Sequence, residues 1–260
     1  MGAQELSRVA RRIGDHPIVE AGARIGYAVN GLLHLMIAWL AVALALHVKA
    51  GSADQSGALG AYAATGLGKV LLWGFVAGFG LLAVWQLAEV FLASEGSART
   101  KAAAKAIVYL AVAGSAAAFA VGRRPRGEQQ ADDFTAALMG APGGPILVIG
   151  VGLLILGVGG YHVFKGATKR FLRDLREQPA QAIVVAGQTG YVAKGIALLA
   201  VGGLFCVAGF THQAAKAGGL DSGLRSLLTF PFGPVIVFAV GIGFACYAVY
   251  SFARAWYAKV

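Results

Sequence analysis

The stretch "IGYAVNG" at residues 25–31 returns as "TGYVAKG" at residues 189–195. Each copy opens a long apolar run, so one Gly-Tyr-x-x-polar-Gly phrase marks the start of two distant segments of the chain. An offset of 164 places Gly26 on Gly190, Tyr27 on Tyr191, Asn30 on Lys194 and Gly31 on Gly195. A third, degraded copy lies at an offset of 75, where Arg24 falls on Arg99, Asn30 on Lys105 and His34 on Tyr109. Recurrence at this scale marks tandem structural units.

Composition names the solvent of those units. The 260-residue chain is 58% hydrophobic and 13% charged, about half the charge of an ordinary soluble domain. A soluble core of this length has no room for so many apolar side chains, so lipid must take them. Six runs lack Lys, Arg, Asp and Glu: Ile25–Val48, Val70–Ala88, Ala106–Val121, Pro145–Phe164, Gly195–Phe210 and Val235–Ala253. Crossing the hydrocarbon takes about 17–25 residues. The third and fifth runs reach that length with Lys105 and Lys194, whose long stems can carry their charge to the interface. No alternation of period two appears, and lone strands would leave backbone groups bare in lipid, so the spans are helices. The first run is too long for a signal peptide's apolar core and reads as a retained span.

Of the 22 Lys and Arg residues, 14 lie on the side of the N-terminal tail, second loop, fourth loop and C-terminus, and seven on the other, with Lys194 inside a span. Basic loops stay cytoplasmic, so both termini are expected in the cytosol, against the contrary "RRPR" cluster at 123–126. The net charge of +10 lacks the interleaved aromatics of a base-stacking surface, which argues against nucleic acid and for anionic lipid headgroups. The tail "ELSRVARRI" sets Leu6, Val9 and Ile13 on one face with arginines beside it, as an interfacial helix does.

The expected fold is all-α: an integral membrane six-helix bundle built from three tandem two-helix repeats, pseudo-threefold about the membrane normal. Its boundaries are an N-terminal segment 1–21 and repeats 22–97, 98–185 and 186–260. Between the spans of each repeat, "DQSGAL", "DFTAAL" and "DSGLRSLL" put Asp54, Asp133 and Asp221 before a short helical stretch, as N-caps. Glycines at Gly31, Gly74, Gly78 and Gly195, with "GVG" at 150–152 and "GIG" at 241–243, read as notches that let helices approach closely.

Three tandem pairs, "GYxxxG" openings, Asp-led outer loops and "GxG" with a later aromatic (Trp85, Tyr161, Tyr250) together resemble the bacterial integral membrane family of unknown function numbered "twelve-oh-six". The resemblance covers about residues 22–256, and the middle repeat departs from it with "KAAAKA" in place of the glycine-tyrosine phrase. It implies this architecture and a bacterial inner-membrane address, and it implies no activity.

Asn30, Lys105 and Lys194 share one repeat position, and Glu89, Lys165 and Arg254 another, forming a polar ring at the inner end. Two readings stand. The cations snorkel singly to headgroups, with Glu89 paired to a nearby lysine, or they converge on a site for a phosphate-bearing lipid or anionic metabolite. His34 and His162 lie at different depths, so haem ligation is disfavoured. His47 and His212 at equivalent outer ends lack a third metal ligand, and Cys206 and Cys246 read as small buried hydrophobes, leaving no cofactor or metal expected. Mitochondrial carriers share the three-by-two plan, but no proline kink or recurring acid interrupts the odd-numbered helices here. No catalytic constellation can be assembled. The expectation is a non-enzymatic structural or assembly component of the membrane, with a small-molecule or ion transporter as the alternative. Its partners would be anionic lipids, and a second membrane protein or another copy of the chain.

Overall fold

The computed structural model describes residues 17–93, 95–123, 127–175 and 179–257. The tail helix expected over 5–13 and most of the "RRPR" cluster lie outside them. Six long helices, α1 (Pro17–Ala45), α3 (Gly66–Leu92), α4 (Gly96–Ala120), α6 (Gly144–Ala167), α7 (Gln181–Thr211) and α9 (Gly233–Tyr257), are each long and apolar enough to cross a membrane. Three short helices, α2 (Gln55–Ala63), α5 (Gly127–Met139) and α8 (Leu220–Leu228), join the members of each pair at one end of the bundle. The unit is therefore span, short helix, span, written three times: a multi-pass all-α membrane bundle. The end where α1 begins and α9 finishes is called here the terminal end, and the other the capped end.

The three α-to-short-helix corners share a backbone device. His47, Gly122 and His212 follow α1, α4 and α7 in the left-handed conformation, with φ of 57, 85 and 55°. In each corner the next amide donates five residues back: Val48 to Ala43 O, Arg123 to Ala118 O and Gln213 to Ala208 O. This is the Schellman stop, which satisfies carbonyls that a helix end leaves bare. Glycine suits that φ, and histidine is among the few other residues that tolerate it. The equivalence of His47 and His212 is thus a matter of chain geometry.

Of the three expected N-caps, Asp54 serves as one, accepting from Gly57 N at 2.7 Å and Ser56 Oγ at 2.8 Å. Asp133 does not: α5 begins at Gly127, which puts Asp133 inside the helix and exposed. Asp221 is also inside its helix. Its buried carboxylate accepts from Ala53 N at 2.6 Å in the loop of the first repeat, and from Arg225 Nε at 2.6 Å. Tyr62 of α2 donates to Leu32 O at 3.1 Å, and burial pushes its hydroxyl pKa above the ordinary value.

The bundle packs between repeats more than within them. The most extensive helix contacts are α6 on α7, α9 on α1 and α3 on α4, each joining neighbouring repeats. Within repeats, α1 meets α3 and α7 meets α9 less extensively, while among the described residues α4 and α6 meet at most marginally. The middle repeat is divided, one span leaning on each neighbour, and a seam runs between α4 and α6. These two are also the least buried of the six spans.

Glycine explains the tightest contact. Gly152, Gly159 and Gly166 on α6 recur every seven residues, as do Gly195, Gly202 and Gly209 on α7. A Cβ on Gly195 would lie 2.7 Å from Gly159 O, one on Gly202 2.9 Å from Gly152 O, and one on Gly209 2.9 Å from Pro145 O. Backbone lies directly on backbone, where any larger side chain would force the helices apart. Gly78 meets Gly26 across α3 and α1, and Gly31 meets the Phe252 ring of α9. Gly74 differs from its expected role: a Cβ there would meet nothing within 4 Å, because that side of α3 faces out of the bundle. Gly150 is likewise open.

Candidate functional site

A helix turns 3.6 residues per turn, so polar residues three, four and seven apart share one face. On α9, Tyr247, Tyr250, Ser251 and Arg254 make such a stripe, and on α1 so do Tyr27, Asn30 and His34. Both stripes turn inward: Tyr27, Tyr247, Tyr250, Ser251 and His34 are all buried. With Tyr191 and Lys194 of α7, Lys165 of α6, and Tyr109 and Lys105 of α4, they gather into a polar cluster in the terminal half of the bundle, called here the basin.

Two seats in the basin are copies of each other. The Arg254 guanidinium lies over the Tyr27 ring, Cζ 4.2 Å from the centroid, and Lys165 Nζ lies over the Tyr191 ring at 4.9 Å. In both, a cation at the terminal end of an even-numbered span sits on the tyrosine that opens the next odd-numbered one. The third seat has lost both members. Glu89 of α3 takes the cation's place, and Ala102 of α4 the tyrosine's.

The sequence-predicted residues meet as follows. Asn30 Nδ2 donates to Ser251 Oγ at 3.1 Å. The His34 ring nitrogen Nδ1 donates to Asn30 O at 2.8 Å, which leaves Nε2 to accept from Lys194 Nζ at 3.3 Å. Lys194 Nζ also lies 4.5 Å from the centre of the Tyr247 ring. Lys165 Nζ pairs with Asp174 at 2.7 Å. Glu89, the expected lysine partner, has no ion pair among the described residues; Asp174 fills that role, carried in by a turn the sequence reading passed over. Lys105 is exposed, yet its electrostatic neighbours are Arg254, Asp174, Lys165 and Glu89. It belongs to the basin and to the bundle's surface at once.

That turn, a 3-10 helix over Arg170–Asp174, also closes part of the terminal end. Phe171 is fully buried, stacked on Tyr191 at 5.5 Å and edge-on to Tyr250 at 5.1 Å, and its carbonyl accepts from Tyr250 Oη at 3.1 Å. Gly187 leaves the space for its ring.

The charges do not balance. Among the described residues, the carboxylates near Lys105, Lys165, Lys194 and Arg254 are Asp174 and Glu89, and none lies within 4 Å of Lys105, Lys194 or Arg254. Arg254 is held instead by tyrosines, donating from Nη2 to Tyr27 Oη at 3.0 Å. Its Nε is shut off from solvent and finds no acceptor among the described residues. His162 stands at the edge of the basin, with Nδ1 donating to Val158 O at 2.8 Å and its ring against Tyr161 and Tyr191. No group of three metal-ligating side chains occurs among the described residues.

Fold and basin together define a multi-pass membrane protein of three tandem helix pairs. The family model described as Domain of Unknown Function (DUF1206) matches the chain three times, over residues 25–93, 100–169 and 189–258, and the chain belongs to that family. It is similar to the "Uncharacterized protein YxxB" of Bacillus subtilis (strain 168), at 25% identity over 259 residues, covering 93% of this chain and 92% of that protein. No solved structure matches the chain.

Proposed function

We propose that this is a non-enzymatic membrane protein that binds a phosphate-class anion in the basin of Lys105, Lys165, Lys194 and Arg254. One observation carries the reading: among the described residues, Arg254 reaches into the bundle with no carboxylate partner and no acceptor for its Nε. A buried donor without a partner costs about 1–3 kcal/mol, more when charged. An anion would relieve that cost and the repulsion between the cations. At an effective dielectric near 20, one charge pair at about 4 Å is worth about 4 kcal/mol before desolvation is subtracted. The tyrosine hydroxyls add neutral donors around the same space. On the positive-inside argument, the basin lies in the cytosolic half of a bundle in a bacterial inner membrane.

The test is thermal unfolding of the purified protein in detergent, with and without phosphatidylglycerol or inorganic phosphate. A ligand that binds only the folded bundle raises its stability. The parent should be stabilised by at least one of the two, and Lys105→Gln and Lys194→Gln should lose the effect. Equal stabilisation of all three proteins would reject the site and leave ordinary headgroup attraction.

A second reading is assembly with another membrane protein. It is favoured by Gly150 and Gly157, a heptad apart on the exposed side of α6, neither of which meets anything within 4 Å in this chain. The glycines that do pack closely are consumed by the chain's own helices and add nothing to that reading.

A further inference from the structure

Resting on the anion-binding reading, we infer that the ligand is a phospholipid, held by its phosphate and admitted sideways through the seam between α4 and α6. Three observations lead there.

The first is depth. Lys105 is the last charged residue before the uncharged run 106–121 of α4. Lys165 is the first after the run 145–164 of α6, and Arg254 the first after the run 235–253 of α9. Three of the basin's four cations therefore stand where the apolar length of their helices meets its polar end, the level at which a bilayer keeps its phosphates, and Lys194 lies deeper, inside its span beside His34. A group held there by its phosphate has hydrocarbon directly above it. That suits a molecule with an apolar body, and it wastes the body-contacting surface on a free anion.

The second is the opening. Five of the six neighbouring helix pairs pack; α4 and α6, among the described residues, do so at most marginally. Each contributes one basin cation, and Lys105 on α4 is exposed while counting Arg254, Asp174 and Lys165 among its electrostatic neighbours. A side chain that is both at the surface and beside the interior charges is a bridge between the two. Val108, on the Lys105 face of α4, is exposed, as are Leu154, Val158 and Tyr161 on α6, so both helices present apolar surface to acyl chains.

The third is what obstructs the other routes. Phe171 is seated between Tyr191 and Tyr250 at the terminal end, with Asp174 locked on Lys165. At the capped end α2 and α8 pack across the spans of the first and third repeats. The side is the least obstructed route.

The experiment places the photoreactive residue p-benzoylphenylalanine at Val108. This position is three residues from Lys105, hence on the same face and about 4.5 Å deeper. The full-length protein is reconstituted in nanodiscs of phosphatidylglycerol and phosphatidylcholine, irradiated, and the crosslinked lipid counted by mass spectrometry. The expected result is a phospholipid crosslink that falls at least fivefold in Lys105→Gln and in Arg254→Gln, and that is at least fivefold weaker with a phosphate-free galactolipid. Arg254→Lys, which keeps the charge, guards against a folding defect and should retain more than half of it. Crosslinking that is equal in all variants and with the galactolipid would show bulk lipid at the seam and overturn the inference. If inorganic phosphate stabilises the parent but not Lys105→Gln, while the crosslink ignores both substitutions, the basin binds a free anion and only the lipid claim falls. If neither signal depends on the cations, the anion-binding reading falls with it.

Discussion

Arg254 lies on the face of Tyr27, 227 residues away, with Cζ 4.2 Å from the ring centre and Nη2 3.0 Å from the hydroxyl oxygen. With Asn30 on Ser251 and Gly31 on Phe252, this contact ties the last span to the first and closes the order of repeats, and Lys165 over Tyr191 repeats it between the second and third. Cation–ring attraction contributes about 0.5–2 kcal/mol depending on solvation, and a hydrogen bond to a charged group about 1.5–3 kcal/mol. Tyr27→Phe keeps the first and removes the second, whereas Tyr27→Leu removes both. Melting in detergent should fall modestly for Phe and clearly further for Leu. Equal losses would mean that the ring face contributes nothing.

The glycine ladder between α6 and α7 predicts a contrast between two positions. Gly195→Leu drives a side chain into Gly159 O and Val163 and should cost about 1–3 kcal/mol, as overpacking typically does. Gly74→Leu adds its side chain to open space and should leave melting unchanged or raise it slightly through better helix propensity. Thermal unfolding of the two variants in one detergent decides the matter. A destabilised Gly74→Leu would place a partner on that face.

Asp221 joins the capped ends of the first and third repeats through Ala53 N at 2.6 Å. In Asp221→Ala the buried amide loses its acceptor, at about 1–3 kcal/mol. Amide hydrogen exchange should accelerate in the 49–57 loop of the first repeat, well away in sequence from the substitution. Acceleration confined to α8 would show that the carboxylate serves only its own helix.

Sidedness follows from the proposed orientation. With both termini in the cytosol, a membrane-impermeant maleimide added outside intact cells should label a cysteine placed at Gln129 and miss one at Ser97. Cys206 and Cys246 are first replaced by serine or alanine. The reverse labelling pattern would turn the bundle over and put the basin on the outer face.

Six spans, their pairing into three repeats and the family they belong to were legible in the residues, because lipid leaves so little choice. A run of about twenty uncharged residues has one stable conformation there, and a repeated phrase betrays a repeated unit. Much of the basin was legible too, had spacing been followed along α9: Tyr247, Tyr250, Ser251 and Arg254 form a polar stripe on a membrane helix. The heptad glycines of α6 and α7 were equally open to view. Tertiary structure alone decided which helices those faces meet. That Asp174, rather than Glu89, answers Lys165 depends on a turn folding back under the bundle around Phe171. That Asp221 serves the loop of another repeat, and that α4 and α6 part to leave a seam, depends on how neighbouring repeats pack. Periodicity along one helix records that a face is small or polar. It carries no record of the partner, because the partner is chosen by shape and charge complementarity across the whole bundle.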